Sequence, residues 1–339
     1  MKDYYSTYAF EKQDRETFWL KASKSIDWIT PPKIALDDSN SPFSKWFPDG
    51  KMNSCFNAVD RHVLAGRQEQ TAIQYESPIT GQSASMSYGE LKKQTEKFAG
   101  MLIEQGLKKG DRVIIYMPMI KEAVIAMLGC ARIGVVHSVV FGGFAAAELA
   151  KRINDCKPKL IVSASCGHEP NRLVHYKPLL DQAIQQSNYN PSKCIIYQRD
   201  AAKADLLGGR EIEWYEALAS ATPANPVALS ANDPLYILYT SGTTGQPKGV
   251  VRDNGGHAVA LCWSMSNIYD VNPGEVFWAA SDIGWVVGHS YIVYAPLFAG
   301  CTSILYEGKP VGTPDAGAFW GVVEKNNVKT LFTAPTAFR

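Results

Sequence analysis

The 339-residue sequence lacks any apolar run long enough to cross a bilayer. Its most apolar region, Ala123 to Ala147, is broken by Arg132 and by glycines, short of the roughly 20 apolar residues that a spanning helix needs. Its first residues, MKDYYSTYAFEKQDRETFW, hold no apolar core of the kind a secretory signal carries. Net charge is nearly absent as well: a formal +1 gives no electrostatic case for nucleic acid or an acidic membrane, so any bound anion must be held locally. The seven cysteines are odd in number and include no C-x-x-C pair, which leads us to expect reduced thiols in a cytoplasmic protein. The six histidines show no ligand spacing, and no structural metal site is expected. Internal repeats and low-complexity tracts are missing too. At 46% hydrophobic and 20% charged residues the chain is globular in composition, and its length predicts two packed subdomains.

Against these absences stands one dense stretch, YTSGTTGQPKGVV, Tyr239 to Val251. The apolar run Leu235 to Tyr239 predicts a buried strand leading into four hydroxyl side chains, Thr240, Ser241, Thr243 and Thr244. Gly242 and Gly245 lie among them, and Lys248 stands behind Pro247. Glycines let successive backbone N–H groups converge on an anion, hydroxyls add donors, and a lysine adds a mobile positive charge. A plain chain reversal has no use for so many donors in a row. The common P-loop is excluded by spacing, because it needs a lysine after glycine and before Ser or Thr, whereas Lys248 lies between Pro247 and Gly249.

Residues 1 to about 70 are rich in tryptophan and proline, and predict a helix around Arg15 to Lys24 and an extended arm whose aromatics serve packing. Asn57 to Leu64 has a helical pattern. A hairpin is expected from Ala72, turning at Pro78 to Gly81. Ser87 and Glu90 are spaced as a capping box for a helix that Gly106 stops. Strands over 112–117, 135–140, 160–163 and 194–197 then alternate with helices over 121–133, 145–155 and 179–187. A polar connection, 206–227, carries a short helix. Beyond the hydroxyl-rich loop, helices over 256–267, 288–298 and 316–325 alternate with strands over 275–281, 302–306 and 328–333. This alternation predicts an α/β fold of two doubly wound, mostly parallel sheets flanked by helices. The expected partition is an arm over 1–70, a first α/β subdomain over 71–225 and a second over 226–339 that carries the loop. Ligands of such sheets sit beyond the carboxyl ends of the strands.

The stretch Tyr239 to Val251 resembles the signature loop of the adenylate-forming superfamily. KWFPDGKMNSCFNAVDRH (Lys45 to His62), VVFGGF (Val139 to Phe144), DIGWVVGHSYIVYAPL (Asp282 to Leu297) and TAPTAFR (Thr333 to Arg339) are similar to short-chain acyl-CoA synthetases of the acetyl-CoA synthetase group. VVRDNGGHAVAL (Val250 to Leu261) and SASCGHEPNR (Ser163 to Arg172) look most like the propionyl-CoA synthetase branch. The resemblance implies the N-terminal large domain of these enzymes and an AMP-forming reaction on a short-chain carboxylate, propionate before acetate, with ATP, Mg2+ and CoA.

It further implies that Thr240, Ser241, Gly242, Thr243, Thr244, Gly245 and Lys248 hold the ATP phosphates, with Lys248 and Thr243 acting in catalysis. Trp285, Val286 and Val287 would line the acyl pocket, with His289 and Tyr291 beside it as structural residues. Glu169, Pro170, Asn171, Arg172 and Val287 would meet CoA, Arg172 through its guanidinium. Val287 stands where the family's acetate enzymes typically carry Thr, and a methyl there favours an added CH2 by about 0.8 kcal/mol. Glu169 stands where those enzymes have a second arginine, so contact from Glu169, Pro170 and Asn171 would run through backbone or water. Gly142 and Gly143 are further candidates for a close approach to CoA. The family pattern continues for nearly as long again, with an adenine loop, an acidic residue at the magnesium and a lysine-bearing mobile domain. The sequence therefore reads as an N-terminal part that needs the missing C-terminal part for full activity. The alternative is a truncated, non-catalytic fragment with residual CoA or nucleotide binding.

Overall fold

The computed structural model describes residues 3–240, 247–309 and 313–338. One sheet has seven strands, in the order Glu211–Glu213, Lys193–Tyr197, Leu160–Ala164, Arg112–Tyr116, Val136–Val139, Pro234–Thr240 and Lys248–Asp253. All neighbours are parallel except the last pair. Its central strands, Leu160–Ala164, Arg112–Tyr116 and Val136–Val139, are buried along almost their whole length because helices cover both faces. Successive side chains divide between those faces. Val113, Ile115, Val162 and Ile195 share a core with Phe98, Val124 and Leu128, whereas Ile114, Tyr116, Ile161 and Ile196 pack with Leu149, Ile153 and Leu180.

Local signals in the sequence set the ends of these helices. Helix Tyr88–Glu104 begins at the expected capping box, with Glu90 N–H donating to Ser87 Oγ at 3.2 Å and Ser87 N–H donating to Glu90 Oε2 at 2.8 Å. It ends before Gly106, whose φ of 77° is open to glycine at little cost. Gly134, φ 72°, does the same after helix Lys121–Arg132.

The second sheet has five strands, ordered Val328–Thr333, Val276–Ala280, Thr302–Tyr306, Thr71–Ser77 and Gln82–Ser87. Trp278, Ile304 and Tyr306 pack on Phe319 and Val322 of helix Ala318–Lys325. Phe277, Ala279 and Leu305 face the other way, into the core shared with the first sheet. Arg199, just past Lys193–Tyr197, ties the two sheets together: its guanidinium donates to both carboxylate oxygens of Glu307 at 2.6 and 2.8 Å, and Tyr75 Oη donates to the same carboxylate.

The α/β architecture agrees with the sequence reading, but the sheets do not divide the chain near residue 225. The hairpin over 71–87 joins the C-terminal strands, and Pro234–Thr240 with its return strand closes the N-terminal sheet. Local periodicity tells which segments are strands and carries no information on which edge they dock against. Other elements were not anticipated: helix Tyr4–Gln13, the hairpin Cys166–Glu169 with Arg172–His175, and the return strand Lys248–Asp253. In the arm, Trp19 packs on Phe18, Trp46 and Trp263, and Lys51–Met52 pairs with Leu229–Ser230.

Candidate active site

The strand Pro234–Thr240 and its return strand bring Thr240 and Lys248 directly opposite each other at the hairpin's end, both exposed to solvent. The strand is anchored there by Tyr239, whose Oη donates to Asp155 Oδ2 at 2.6 Å; burial pushes its phenol above the ordinary range. Ser241, Gly242, Thr243, Thr244 and Gly245 lie outside the described residues. Thr240 and Lys248 are the phosphate candidates whose placement is described. Lys248 was expected within a loop but stands at the head of a strand, and Lys248, Val250 and Arg252 share one face of it.

The DIGWVVG segment follows strand Val276–Ala280. Asp282 Oδ1 accepts from Gly284 N–H at 2.7 Å, while burial lifts the carboxyl to about 6 against the effect of that bond. Two glycines make the turn possible. A Cβ on Gly288 would fall 1.9 Å from the Asp282 carbonyl oxygen, and one on Gly284 2.7 Å from the Phe141 Cα. The turn thus rests on the VVFGGF segment, and Trp285 sends its ring there, 5.5 Å from Phe141 and 6.1 Å from Phe144. Gly142 is glycine for a packing reason, since its Cβ would meet Tyr176 Oη at 1.9 Å.

Trp285 therefore parts from the two valines that follow it. Val286 and Val287 line a cavity of about 810 Å3 on the other side, together with Arg252, His257, Ser290 and Tyr291. Trp19 and Trp46 from the arm complete its wall. Neither tryptophan was read as a site residue, because an aromatic in a proline-rich arm has no local mark that separates packing from pocket lining. The cavity's polar wall continues inward to the buried rings of His289 and His137. His257 Nε2 is 3.3 Å from Ser290 Oγ, and His289 Nδ1 is 3.1 Å from the Trp285 carbonyl. His289 stacks on His137 with ring centroids 6.1 Å apart. Burial lowers His257 to about 3 and His289 to about 4, so both are neutral near pH 7.

The CoA candidates occupy the hairpin Cys166–Glu169 with Arg172–His175. Glu169 and Arg172 are register partners flanking an exposed turn of Pro170 and Asn171, and Arg172 Nε donates to Glu169 Oε2 at 2.8 Å. That bond, with Lys309 more weakly, holds the Glu169 carboxyl below the usual range. The acidic residue is thus the arginine's own counter-ion. Val287 lines the cavity described above, and the hairpin residues do not line it.

Residues 60–339 match the family described as AMP-binding enzyme, and residues 4–58 match the acetyl-coenzyme A synthetase N-terminus. Over 338 residues the chain is 52% identical to the mitochondrial acyl-CoA synthetase short-chain family member 3 of Rattus norvegicus, covering 99% of this chain and 50% of that protein. It is 48% identical to the propionate–CoA ligase of Escherichia coli (strain K12), over 96% of this chain and 52% of the ligase. With the acetyl-coenzyme A synthetase of Streptomyces avermitilis it shares 45% identity, over 98% and 51% respectively. The chain spans about half the length of the curated relatives it matches. With the family matched from residue 60 to residue 339, on an α/β frame that sets Thr240 against Lys248, the chain belongs to the AMP-binding enzymes.

Proposed function

We propose that the chain supplies the acid and phosphate sides of an AMP-forming acyl-CoA synthetase acting on short-chain carboxylates, propionate before acetate, with MgATP and CoA as co-substrates. A carboxylate oxygen attacks the α-phosphorus of ATP and pyrophosphate leaves; the CoA thiol then attacks the acyl carbon, and AMP departs as the thioester forms. The observation that carries the reading is the pairing of Thr240 with Lys248 at the carboxyl end of a parallel strand, where a cation and a hydroxyl can face departing pyrophosphate. Val286 and Val287 on the wall of one cavity support an apolar acyl site. The Glu169–Arg172 pair supports a looser CoA contact, because the guanidinium must leave its carboxylate to take a phosphate. The test is carboxylate-dependent exchange of labelled pyrophosphate into ATP by the purified chain, with acetate, propionate and butyrate compared. Exchange greatest with propionate supports the reading. Exchange indifferent to the acid overturns it.

The half-length match to the relatives favours a second reading, a chain that binds nucleotide or CoA without turnover. Binding of either ligand with no exchange, and exchange restored by adding the second half of a relative, would separate the two.

A further inference from the structure

Arg152, on helix Ala146–Cys156, is a buried cation outside the set of phosphate, acid and CoA residues. It is 5% exposed, and among the described residues its one carboxylate partner is Glu148, four positions back on the same helix, at 3.0 Å. Its Nη1 also donates to the Glu148 carbonyl at 2.7 Å. A counter-ion on its own helix does nothing to join that helix to its neighbours, and burying a charge is costly where an apolar side chain of similar length would fill the space. What the charge adds is a pair of aromatic contacts. The guanidinium carbon lies 4.5 Å from the centre of the Phe144 ring and 5.6 Å from that of Tyr239, both within the reach of a cation–π attraction.

The two rings belong to the two sides of the site. Tyr239 is the last residue before Thr240 on the strand that faces Lys248. The helix grips it twice, through Arg152 at the ring and through Asp155, which accepts from its Oη at 2.6 Å. The ring in turn overlies the return strand: a Cβ on Gly249, the residue after Lys248, would stand 3.3 Å from Tyr239 Cε1. Phe144 packs edge-on against Phe141 and Trp285, with centroids 5.5 and 6.1 Å apart, and Trp285 directly precedes the helical turn Val286–Gly288. We propose that Arg152 is a positioning residue: clasped between the Tyr239 and Phe144 rings, it fixes the phosphate strand relative to the acid-side turn, so that carboxylate and α-phosphorus meet in line. The proposal rests on the reading of Thr240 and Lys248 as the phosphate side and of Val286 and Val287 as the acid side. It gives Arg152 a part in the reaction without contact to either reactant.

The test measures carboxylate-dependent pyrophosphate exchange by the full 339-residue chain at varied ATP and propionate, so that kcat and KM separate. Misplacing bound reactants slows their reaction without emptying the site, and a shift of about 1 Å costs up to about 100-fold. Arg152→Met, which removes the charge and fills the space, should lower kcat by about 10- to 100-fold and leave KM for ATP and for propionate within about twofold. Arg152→Lys, a more compact cation on a flexible stem, should regain part of kcat. Phe144→Leu should lower kcat in the same way, and in the double variant Arg152→Met/Phe144→Leu the two losses should not multiply, because the ring acts through the guanidinium. Where Arg152→Met does not fold, Arg152→Gln, which can still donate to Glu148, carries the same expectation. An unchanged kcat, a KM that rises as kcat falls, or losses that multiply in the double variant each overturn the proposal; exchange by the unaltered chain then leaves the enzymatic reading standing. No exchange by the unaltered chain overturns both.

Discussion

Replacing Arg132 by methionine should unfold a large part of the stability of this chain. Arg132 ends helix Lys121–Arg132 with no exposed surface, and Asp60, its main partner, is 4% exposed. Its guanidinium donates to Asp60 Oδ2 and Oδ1 at 2.7 and 2.9 Å, to Glu96 Oε1 at 3.0 Å and to the Ala224 carbonyl at 2.6 Å. One side chain thus joins the end of the arm, two core helices and the connection that precedes strand Pro234–Thr240. Methionine fills similar space but leaves the Asp60 carboxylate buried without its counter-ion. Removing one partner of such a pair costs about 3–5 kcal/mol, because the remaining charge keeps its desolvation penalty and loses the attraction that offset it. The assay is urea unfolding, where about 4 kcal/mol should lower the midpoint by about 1 M or more. Asp60→Asn should cost less, since Glu96 still neutralises the arginine. The double variant Arg132→Met/Asp60→Leu should recover much of the loss, as an apolar pair of similar volume is often neutral. A single-variant cost under about 1 kcal/mol, or single costs that simply add in the double variant, would refute the argument.

Lys248→Ala, at an exposed strand position, should change stability by no more than about 0.5 kcal/mol yet cut pyrophosphate exchange by about 100-fold or more, as loss of one charge-stabilising group does; an unchanged rate removes Lys248 from the chemistry. Asp282 titrates at about 6 in the folded chain against an ordinary 3.8, so the folded state binds more protons between those values and this residue's contribution to stability grows as pH falls from 6 to 4. Asp282→Asn should remove that rise, and equal slopes in the two proteins between pH 4 and 6, by urea midpoint, would contradict the assignment. Gly142→Ala should destabilise the chain by about 1–3 kcal/mol through overpacking against Tyr176; Tyr176→Phe, which removes the oxygen 1.9 Å from the new methyl, should restore part of the loss in thermal melts. Glu169→Gln frees Arg172 from its carboxylate and should tighten CoA binding, read by calorimetry; an unaltered affinity would take the hairpin out of the CoA site.

What the sequence disclosed and what it concealed follow from the range over which each signal acts. The capping box at Ser87 and Glu90, the stops at Gly106 and Gly134, and the aliphatic strands around Ile114 and Ile161 are written within a few residues, and the structure has them where the pattern puts them. The pairing of the 71–87 hairpin with Thr302–Tyr306 joins segments more than 200 residues apart, and no local pattern encodes it. The site divides in the same way. Lys248 stands out by composition, while the partition of WVV into a tryptophan packed on Phe141 and two valines facing a cavity depends on a turn that closes only because Gly284 and Gly288 lack side chains. Gly288 was legible as a residue and illegible as a requirement: what forbids its Cβ is the carbonyl of Asp282, six positions earlier. Trp46 is the extreme case, since its meaning lies wholly in what faces it. From the sequence it is an aromatic in an arm, and only when the arm is laid across Val287 does it become a wall. Residues that act through what they bury against are therefore the ones a single sequence hides, and in this fold they are the ones that line the cavity beside Val286 and Val287.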